Sequence, residues 1–375
     1  MFWKRKRRNE NEIVIAYLQR RLVEQVEELK ANIKPDSNPE IHLAKLDWII
    51  SLFHEVGHLY LLEGRPRDEA QIKAQAAKFL LLLPARRDFD RLTAAEKWLL
   101  ESIATLQTGE ISFSLADAHA VLGDLLLRRA LETKDPEARR AALSGARENL
   151  EAALAVAENE TLANRWRDDN QPNRPSRELY LTDLFNKLGS LRRNLATGNP
   201  VESFAHLTKA HEYFSRALTY CPRSQAPELY AVTQNNLGMV GMLIAGQAAD
   251  EATLNDAEQH FHDALQAVEK GRQPHLYAML HSNLGELMLA FTGTHLRSRY
   301  DLLQSAMSHF GEALPFFPQD HYPLQYARIL FGQGRALAMM GQKDAARQLF
   351  QEAYDFRSHL PDNGRQIEKA LAELS

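Results

Sequence analysis

The stretches LYAVTQNNLG (residues 229–238), LYAMLHSNLG (276–285) and LQYARILFGQG (324–334) share a spacing that decides the fold. Each ends in glycine, and a further copy ends at Gly189, so that consecutive glycines are 49, 47 and 49 residues apart. Each glycine is followed downstream by an alanine, a Phe four residues later and a second alanine three residues after that. These triplets are Ala210-Phe214-Ala217, Ala257-Phe261-Ala264, Ala306-Phe310-Ala313 and Ala346-Phe350-Ala353. The recurrence predicts four repeated helix pairs.

The spacing also predicts how the pairs pack. A glycine on the first helix lets the second helix approach closely, and the alanines of the second helix accept the ridges of its neighbour. The Phe then fills the gap between adjacent pairs. Because one helix pair cannot bury its apolar face alone, the pairs must stack into an α-solenoid.

The rest of the chain also carries helical periodicity, with no alternating strand pattern, so the predicted fold class is all-α. Further helices are predicted at about residues 42–62, 68–82, 93–106, 115–131 and 137–157. Two weaker copies of the repeat, both without the Phe, lie upstream. The first is Val56-Gly57 with Tyr60, Gly64, Ala70, Ala74 and Ala77, and the second is Leu122-Gly123 with Ala146, Leu150 and Ala153.

These patterns predict five segments along the chain. Residues 1–35 form a basic tip and a helix, and residues 36–163 form a helical region with the two degenerate pairs. Residues 164–177 form a junction rich in turn-forming residues. Residues 178–360 hold the four clear repeats, and residues 361–375 form a capping helix that hides the last apolar face.

Composition excludes several classes of protein. The 375 residues carry a net charge of −4 with 25% charged residues, the ordinary share for a globular chain. The single cysteine, Cys221, rules out an internal disulfide and a multi-cysteine zinc site, and favours a cytoplasmic protein. No window reaches the length of a membrane span, and polar residues follow the basic run Lys4–Arg8 where a secretory signal would be apolar. The acidic balance predicts no nucleic-acid partner, and the basic run is interpreted as a solvated, disordered tip.

The repeated residues resemble the tetratricopeptide repeat family. The glycine and the downstream Ala, Phe and Ala occupy that family's signature offsets, Pro222 and Pro318 stand at its repeat ends, and Gly341 matches its turn glycine. The first three repeats exceed the usual length by roughly 7–9 residues between their helices. In this they resemble a longer bacterial variant found beside signalling NTPases and caspase-like CHAT proteases.

The resemblance implies a binding face. In that family the concave groove is lined by first-helix residues three and two before the glycine, and one and four after it. Asn pairs in a groove suit an extended peptide, because an amide both donates and accepts hydrogen bonds, and Met adds an adaptable apolar surface. The alternative is that the Asn side chains bond neighbouring backbone. The partner-binding candidates are Asn186, Lys187, Arg193, Asn235, Asn236, Met239, Ser282, Asn283, Glu286 and Arg335.

One catalytic motif stands out. His54-Glu55-Val56-Gly57-His58 spells H-E-x-x-H, which on a helix presents two zinc ligands and a general base. However, the same residues fit the first helix of a degenerate repeat, no strand is predicted before them, and no third ligand is evident. The interpretation is a repeat helix, with a non-catalytic ligand contact or a zinc site at His54, Glu55 and His58 as alternatives. No phosphate-binding loop or nucleophile elbow occurs, so no cofactor is predicted.

The leading hypothesis is therefore a non-enzymatic scaffold or regulatory subunit that recognises a protein or peptide through the concave face. The resemblance implies a bacterial signalling or defence protease or NTPase as the partner, with a transcription factor as a further alternative. One alternative is a peptide-pheromone-type receptor, since such receptors also join helices to these repeats. A zinc metallohydrolase is the weaker one.

Overall fold

A computed structural model describes residues 2–32, 39–81, 91–133, 135–166, 175–196, 199–248, 251–294, 297–360 and 364–374. The chain divides into two compact units, Met1–Arg177 and Glu178–Ser375. The described part is all-helical, which confirms the predicted fold class. Its α-helices, in chain order, are α1 Phe2–Asn32, α2 Pro39–Leu62, α3 Pro66–Leu81, α4 Arg91–Gln107, α5 Phe113–Glu132, α6 Pro136–Glu158, α7 Glu160–Arg165, α8 Arg177–Leu195, α9 Pro200–Tyr220, α10 Pro227–Ala248, α11 Glu251–Gln266, α12 Pro274–Phe291, α13 Arg299–Ala313, α14 Pro323–Met339, α15 Lys343–Asp355 and α16 Arg365–Glu373.

The second unit is a run of four helix pairs, α8/α9, α10/α11, α12/α13 and α14/α15, followed by α16. In every pair the predicted Phe and both flanking alanines are at most 1% exposed. A Cβ placed on the predicted glycine would lie 2.5–2.7 Å from the Phe ring at Gly189, Gly238, Gly285 and Gly334. The ring therefore occupies the space that each glycine leaves, as the spacing predicts.

The rings also join neighbouring pairs. The Phe310 ring of α13 lies against Gly285 of its own pair and against Gly332 on the first helix of the next pair. A Cβ on Gly332 would clash with the same ring. Phe310 thus fills the space between two pairs and links them into one core.

The extra residues of the first three repeats lie mostly inside the helices, which corrects the expectation of longer connections. In α9, ten residues of helix precede Ala210, whereas only three precede Ala346 in α15. In α10 the helix continues for ten residues beyond Gly238. The extra residues of a longer helix make their backbone hydrogen bonds within the helix. The backbone groups of an inserted loop would need other partners.

The first unit holds α1 to α7, and α1 includes the basic run Lys4–Arg8, which corrects the prediction that this run is disordered. Its core is formed by α1 to α5, with Ile49, Val56, Ala77, Leu99 and Leu125 completely or almost completely buried. The degenerate pairs are α2/α3 and α5/α6, and in the latter Leu150 takes the place of the missing Phe against Gly123. The short helix α7 was not predicted and overlaps only the first two residues of the predicted junction, 164–177, of which residues 167–174 lie outside the described part.

Helix starts follow the local sequence. Proline opens α6, α9, α10, α12 and α14, where a missing N–H costs nothing. Asp135 and Asn199 cap α6 and α9 through their side chains. Pro222 and Pro318 lie between successive pairs, as the resemblance implies, and Gly341 adopts a left-handed φ of 81° in the turn before α15.

Candidate binding face

The predicted binding residues of the second unit lie on the first helices of the pairs, α8, α10, α12 and α14. The structure brings many of them together across adjacent first helices rather than leaving them apart. Their contacts form three seams, one between each pair of neighbouring first helices.

The seam between α8 and α10 is a buried amide network. The Asn186 amide donates to Thr233 Oγ1 at 2.7 Å and to the Thr182 carbonyl at 3.1 Å. Asn236 donates to Asn186 Oδ1 at 3.4 Å. Asn186, Thr233 and Asn236 are all buried, so these bonds replace hydration that the side chains have lost.

The other two seams also join neighbouring first helices, but through different side chains. Between α10 and α12 the Asn283 amide donates to Asn235 Oδ1 at 2.7 Å, with both side chains buried. Between α12 and α14 Arg335 pairs with Glu286 at 2.8 Å, and both side chains remain partly exposed.

The Asn side chains are therefore occupied within the array. Four of the predicted contacts, Asn186, Asn235, Asn236 and Asn283, hold neighbouring first helices in register, and their predicted role in contacting a partner stays a prediction. Lys187 pairs with Asp183 at 2.8 Å on its own helix. Ser282 and Met239 are half-buried on the same set of helices.

Arg193 differs from the other predicted residues. It is half-buried, and its guanidinium reaches Asn236 Oδ1 and Met239 Sδ, each at 3.5 Å, the outer limit of a hydrogen bond. Within the described residues no carboxylate forms an ion pair with it. Burial, and then the positive charge of Arg328 on α14, lower the pKa of Arg193.

Arg328 is a residue that the sequence reasoning missed. It stands six residues before Gly334, outside the offsets that the resemblance supplied. The signal was nevertheless present, because Arg328 precedes Arg335 by seven residues and so shares its helix face. Arg328 is exposed at this position.

A separate set of polar contacts lies within the two middle pairs, between the first and the second helix of each pair. Gln234 Oε1 on α10 accepts from His260 Nδ1 on α11 at 2.6 Å. The Nδ1 atoms of His281 on α12 and His309 on α13 lie 3.0 Å apart, so one ring donates to the other. Burial lowers the pKa of His260 and of His281, and burial together with His281 lowers that of His309 to about 4. The sequence analysis did not single out these histidines.

Cys221 is buried at the end of α9, and burial raises the pKa of its thiol. A raised thiol pKa disfavours the reactive thiolate, so Cys221 serves as a buried apolar side chain.

The H-E-x-x-H motif lies on α2 in the first unit, with His54, Glu55 and His58 all exposed. His54 contacts the edge of Trp98 at a ring-centroid distance of 5.1 Å. Both histidines line a cleft of about 200 Å³ together with Phe53, Gly57, Leu61, Glu69, Ile72, Lys73, Ala76 and Trp98. The Glu69 carboxylate in this cleft pairs with Lys73 at 2.6 Å.

Across the described ranges, no three His, Cys, Asp or Glu side chains are grouped as metal ligands. Among the described residues, the two histidines of α2 therefore have no third protein ligand of the kind that catalytic zinc sites use. The cleft keeps the non-catalytic ligand contact as an alternative, and the zinc hydrolase stays the weaker one.

Comparison with solved structures gives relatives of low sequence identity. The apo form of RapI is 14% identical, with 91% of this chain and 78% of that chain covered and a TM-score of 0.49. BtubC from P. vanneervenii is 17% identical, with 73% and 92% covered and a TM-score of 0.47. PH0952 from Pyrococcus horikoshii, a signal transduction ATPase with a tetratricopeptide repeat sensor, is 11% identical, with 94% and 61% covered and a TM-score of 0.35.

No family model matches the sequence, and no curated protein matches it either. Because the identities are below 20% and the TM-scores below 0.5, the description of the fold depends on the chain's own geometry. Among the helices that the structure describes, none combines the length and the apolar character that crossing a bilayer requires. The resemblance to tetratricopeptide proteins is confirmed: the helices pack in consecutive pairs, with the signature glycine, alanine and Phe residues at their interfaces.

Proposed function

We propose that this protein is a non-enzymatic scaffold that binds a protein or peptide partner along the face formed by α8, α10, α12 and α14. The observation that carries the proposal is the set of three side-chain seams on that face. They join four first helices, drawn from separate pairs, into one continuous and pre-ordered surface.

The preorganisation of this surface favours the binding of an extended segment. A surface whose helices are already held in register loses less conformational freedom when a ligand binds, so more of the contact energy appears as affinity. The seams also leave adaptable side chains partly accessible, among them Met239 and Met242 of α10 and the 37%-exposed Met279 of α12.

The finer role follows from the sequence resemblance. We propose a regulatory subunit in a bacterial signalling or defence assembly, with a protease or NTPase as the partner. A peptide-pheromone-type receptor is the alternative, and it would use the same face for a short free peptide.

Photo-cross-linking in the native cell tests this proposal. A photoreactive phenylalanine analogue replaces Met242 on the binding face in one variant and Gln348, an exposed residue of the second helix α15, in the control. We expect a defined protein or peptide adduct at position 242 and none at position 348.

Two results would contradict the proposal. The first is a stable partner that cross-links at position 348 but not at position 242. The second is zinc at about one equivalent per purified chain that disappears in His54→Ala, with hydrolytic activity lost in Glu55→Gln, since these would establish the zinc hydrolase instead.

A further inference from the structure

Helix α1 of the first unit has a second apolar surface besides the one that packs on the core. Its inner face buries Ile15, Leu18 and Leu22. Its outer face presents Ile13, which is 71% exposed, and Tyr17, which is 60% exposed and lies one turn further on. A helix at the edge of one core needs a single apolar stripe, so this exposed pair indicates that the outer face packs on something else.

The outer face of α1 has the residue spacing of a seam between two helices. Steps of four, three, four, three and four residues connect the six positions of this stripe, which are Lys6, Glu10, Ile13, Tyr17, Arg20 and Glu24. This alternation is the repeat that keeps one stripe of a helix in contact with a partner helix over several turns. The two central positions of the stripe are apolar, and two charged positions of opposite sign flank them on each side.

The charges of this stripe are complementary to the same stripe read in the opposite direction. When a second α1 runs antiparallel, with a two-fold axis at the level of Ile15, Lys6 of each helix is level with Glu24 of the other. Glu10 is then level with Arg20, and the two central apolar residues are level with each other. Two-fold symmetry makes each of these pairs occur twice. A parallel arrangement would instead oppose each charge to its own copy.

We propose that the outer face of α1 is a homodimer interface, in which the α1 helices of two copies of this chain pack antiparallel. The interface is isologous, because the same six residues supply both of its sides. The apolar pair forms its centre, and the alternating charges on either side determine the direction and the register of the helices. Because α1 belongs to the first unit, this inference is independent of the proposed binding face in the second unit.

The charges favour a second copy of the chain over an anionic membrane as the occupant of this face. The basic run Lys4–Arg8 would attract such a membrane, but Glu10 and Glu24 on the same stripe would be repelled by it. In the single chain Arg20 donates to Glu24 at 3.0 Å, with the two side chains 81% and 47% exposed. An ion pair with this exposure contributes little, so Glu24 is able to accept a cation from a second helix.

Sedimentation equilibrium of the full chain over a range of concentrations provides the first test. A single pair of helices is at the small end of dimer interfaces, so we expect a dissociation constant in the micromolar range. The measured mass should therefore be that of one chain at about 0.1 µM and should approach that of two chains at about 100 µM. A mass of one chain at the higher concentration would overturn the proposal.

Matched variants test whether α1 is the interface. Ile13→Lys/Tyr17→Lys brings two cations from each chain to the centre of the dimer and should keep the protein monomeric at about 100 µM. The control Leu131→Lys/Tyr300→Lys makes the same kind of change at positions that are 71% and 65% exposed, and it should dimerise like the native chain. Equal dimerisation of the two double variants would overturn the assignment to α1.

Exchanging the charges tests the antiparallel direction. Lys6→Glu alone opposes two carboxylates at both ends of the interface, and Glu24→Lys alone opposes two cations there. Each single variant should raise the dissociation constant by about tenfold, because symmetry repeats the change. An equimolar mixture of the two variants should restore the native value, since every altered position in the mixed dimer then faces a charge of opposite sign. This recovery would also show that both variants are folded.

Two further results would overturn the proposal. A mixture that dimerises no better than either single variant would contradict the antiparallel arrangement. A native chain that is monomeric in solution but sediments with vesicles of phosphatidylserine, and not with vesicles of phosphatidylcholine, would assign the outer face of α1 to a membrane surface instead.

Discussion

The pair α2/α3 of the first unit and the pair α12/α13 of the second each have the signature glycine, Gly57 and Gly285. The surroundings of the two glycines differ. A Cβ on Gly285 would lie 2.7 Å from the Phe310 ring, whereas a Cβ on Gly57 would meet its nearest neighbour, Glu69 Cγ, at 3.7 Å. Gly285 is thus required because the Phe310 ring covers it, whereas Gly57 has room for a methyl group. Gly57 itself lines the cleft beside His54 and His58.

The largest expected effect comes from removing a ring. Phe310→Ala opens a cavity between Gly285 and Gly332 and is expected to lower the free energy of unfolding by about 3–5 kcal/mol. The corresponding change in the first unit, Leu150→Ala in α5/α6, removes a smaller side chain and should cost less, about 2–4 kcal/mol. Urea unfolding of the two variants would test the ranking, and an equal or greater loss for Leu150→Ala would contradict it.

A pair of glycine substitutions sharpens the comparison, because the expected signs are opposite. Gly285→Ala forces a methyl group into the Phe310 ring and should destabilise the protein by about 1–3 kcal/mol. Gly57→Ala has room for its methyl group and gains helix propensity, so it should be neutral or stabilising by up to about 1 kcal/mol. Thermal unfolding of both variants provides the measurement. Destabilisation by Gly57→Ala comparable to that by Gly285→Ala would mean that both glycines serve the same purpose.

The amide seam should produce a smaller effect. Asn283→Leu leaves the buried side-chain oxygen Oδ1 of Asn235 without the amide that donates to it at 2.7 Å. The free energy of unfolding is expected to fall by about 1–2 kcal/mol. The double variant Asn235→Leu/Asn283→Leu removes both partners and should recover part of that loss. A double-mutant cycle of unfolding free energies measures the coupling, and simple additivity would show that the seam contributes no specific bond.

The last expected effect is a dependence of stability on pH in the middle pairs. In the unfolded chain His309 takes up a proton near pH 6.5, but in the folded protein only near pH 4, because burial and His281 oppose its charge. The unfolded state therefore binds more protons between these values, and the stability falls as the pH drops from about 6.5 to about 4. His262, Glu258 and Glu312 also act on this pair, the first opposing and the two carboxylates favouring its protonation.

The outer pairs supply the control for the histidines. At the equivalent positions α8/α9 has Phe185 against Tyr213, and α14/α15 has Leu330 and Leu349 in one apolar cluster. His281→Leu/His309→Leu imitates α14/α15 and should flatten the loss of melting temperature between pH 6.5 and 4. An unchanged pH profile would show that other groups cause the acid sensitivity.

The sequence could predict the parts of the molecule that depend on residue size and spacing. The glycine, alanine and Phe positions defined the pairs because a ring and a missing Cβ must meet at a fixed helical offset. The Asn residues were placed correctly on the first helices, but their bonds to Thr233 and to each other depend on how adjacent pairs pack, which spacing alone does not specify. Arg328 was missed because it lies six residues before Gly334, outside the offsets that the resemblance supplied.

Hydrogen exchange of the full chain, measured free and with its captured partner, tests the central claim most directly. The account predicts that the partner slows exchange in α10, α12 and α14, residues 227–248, 274–291 and 323–339, and leaves the second helices α11 and α13 unchanged. Slower exchange confined to α11, α13 and α15, or to the first unit, would show that the partner binds elsewhere and would contradict the account.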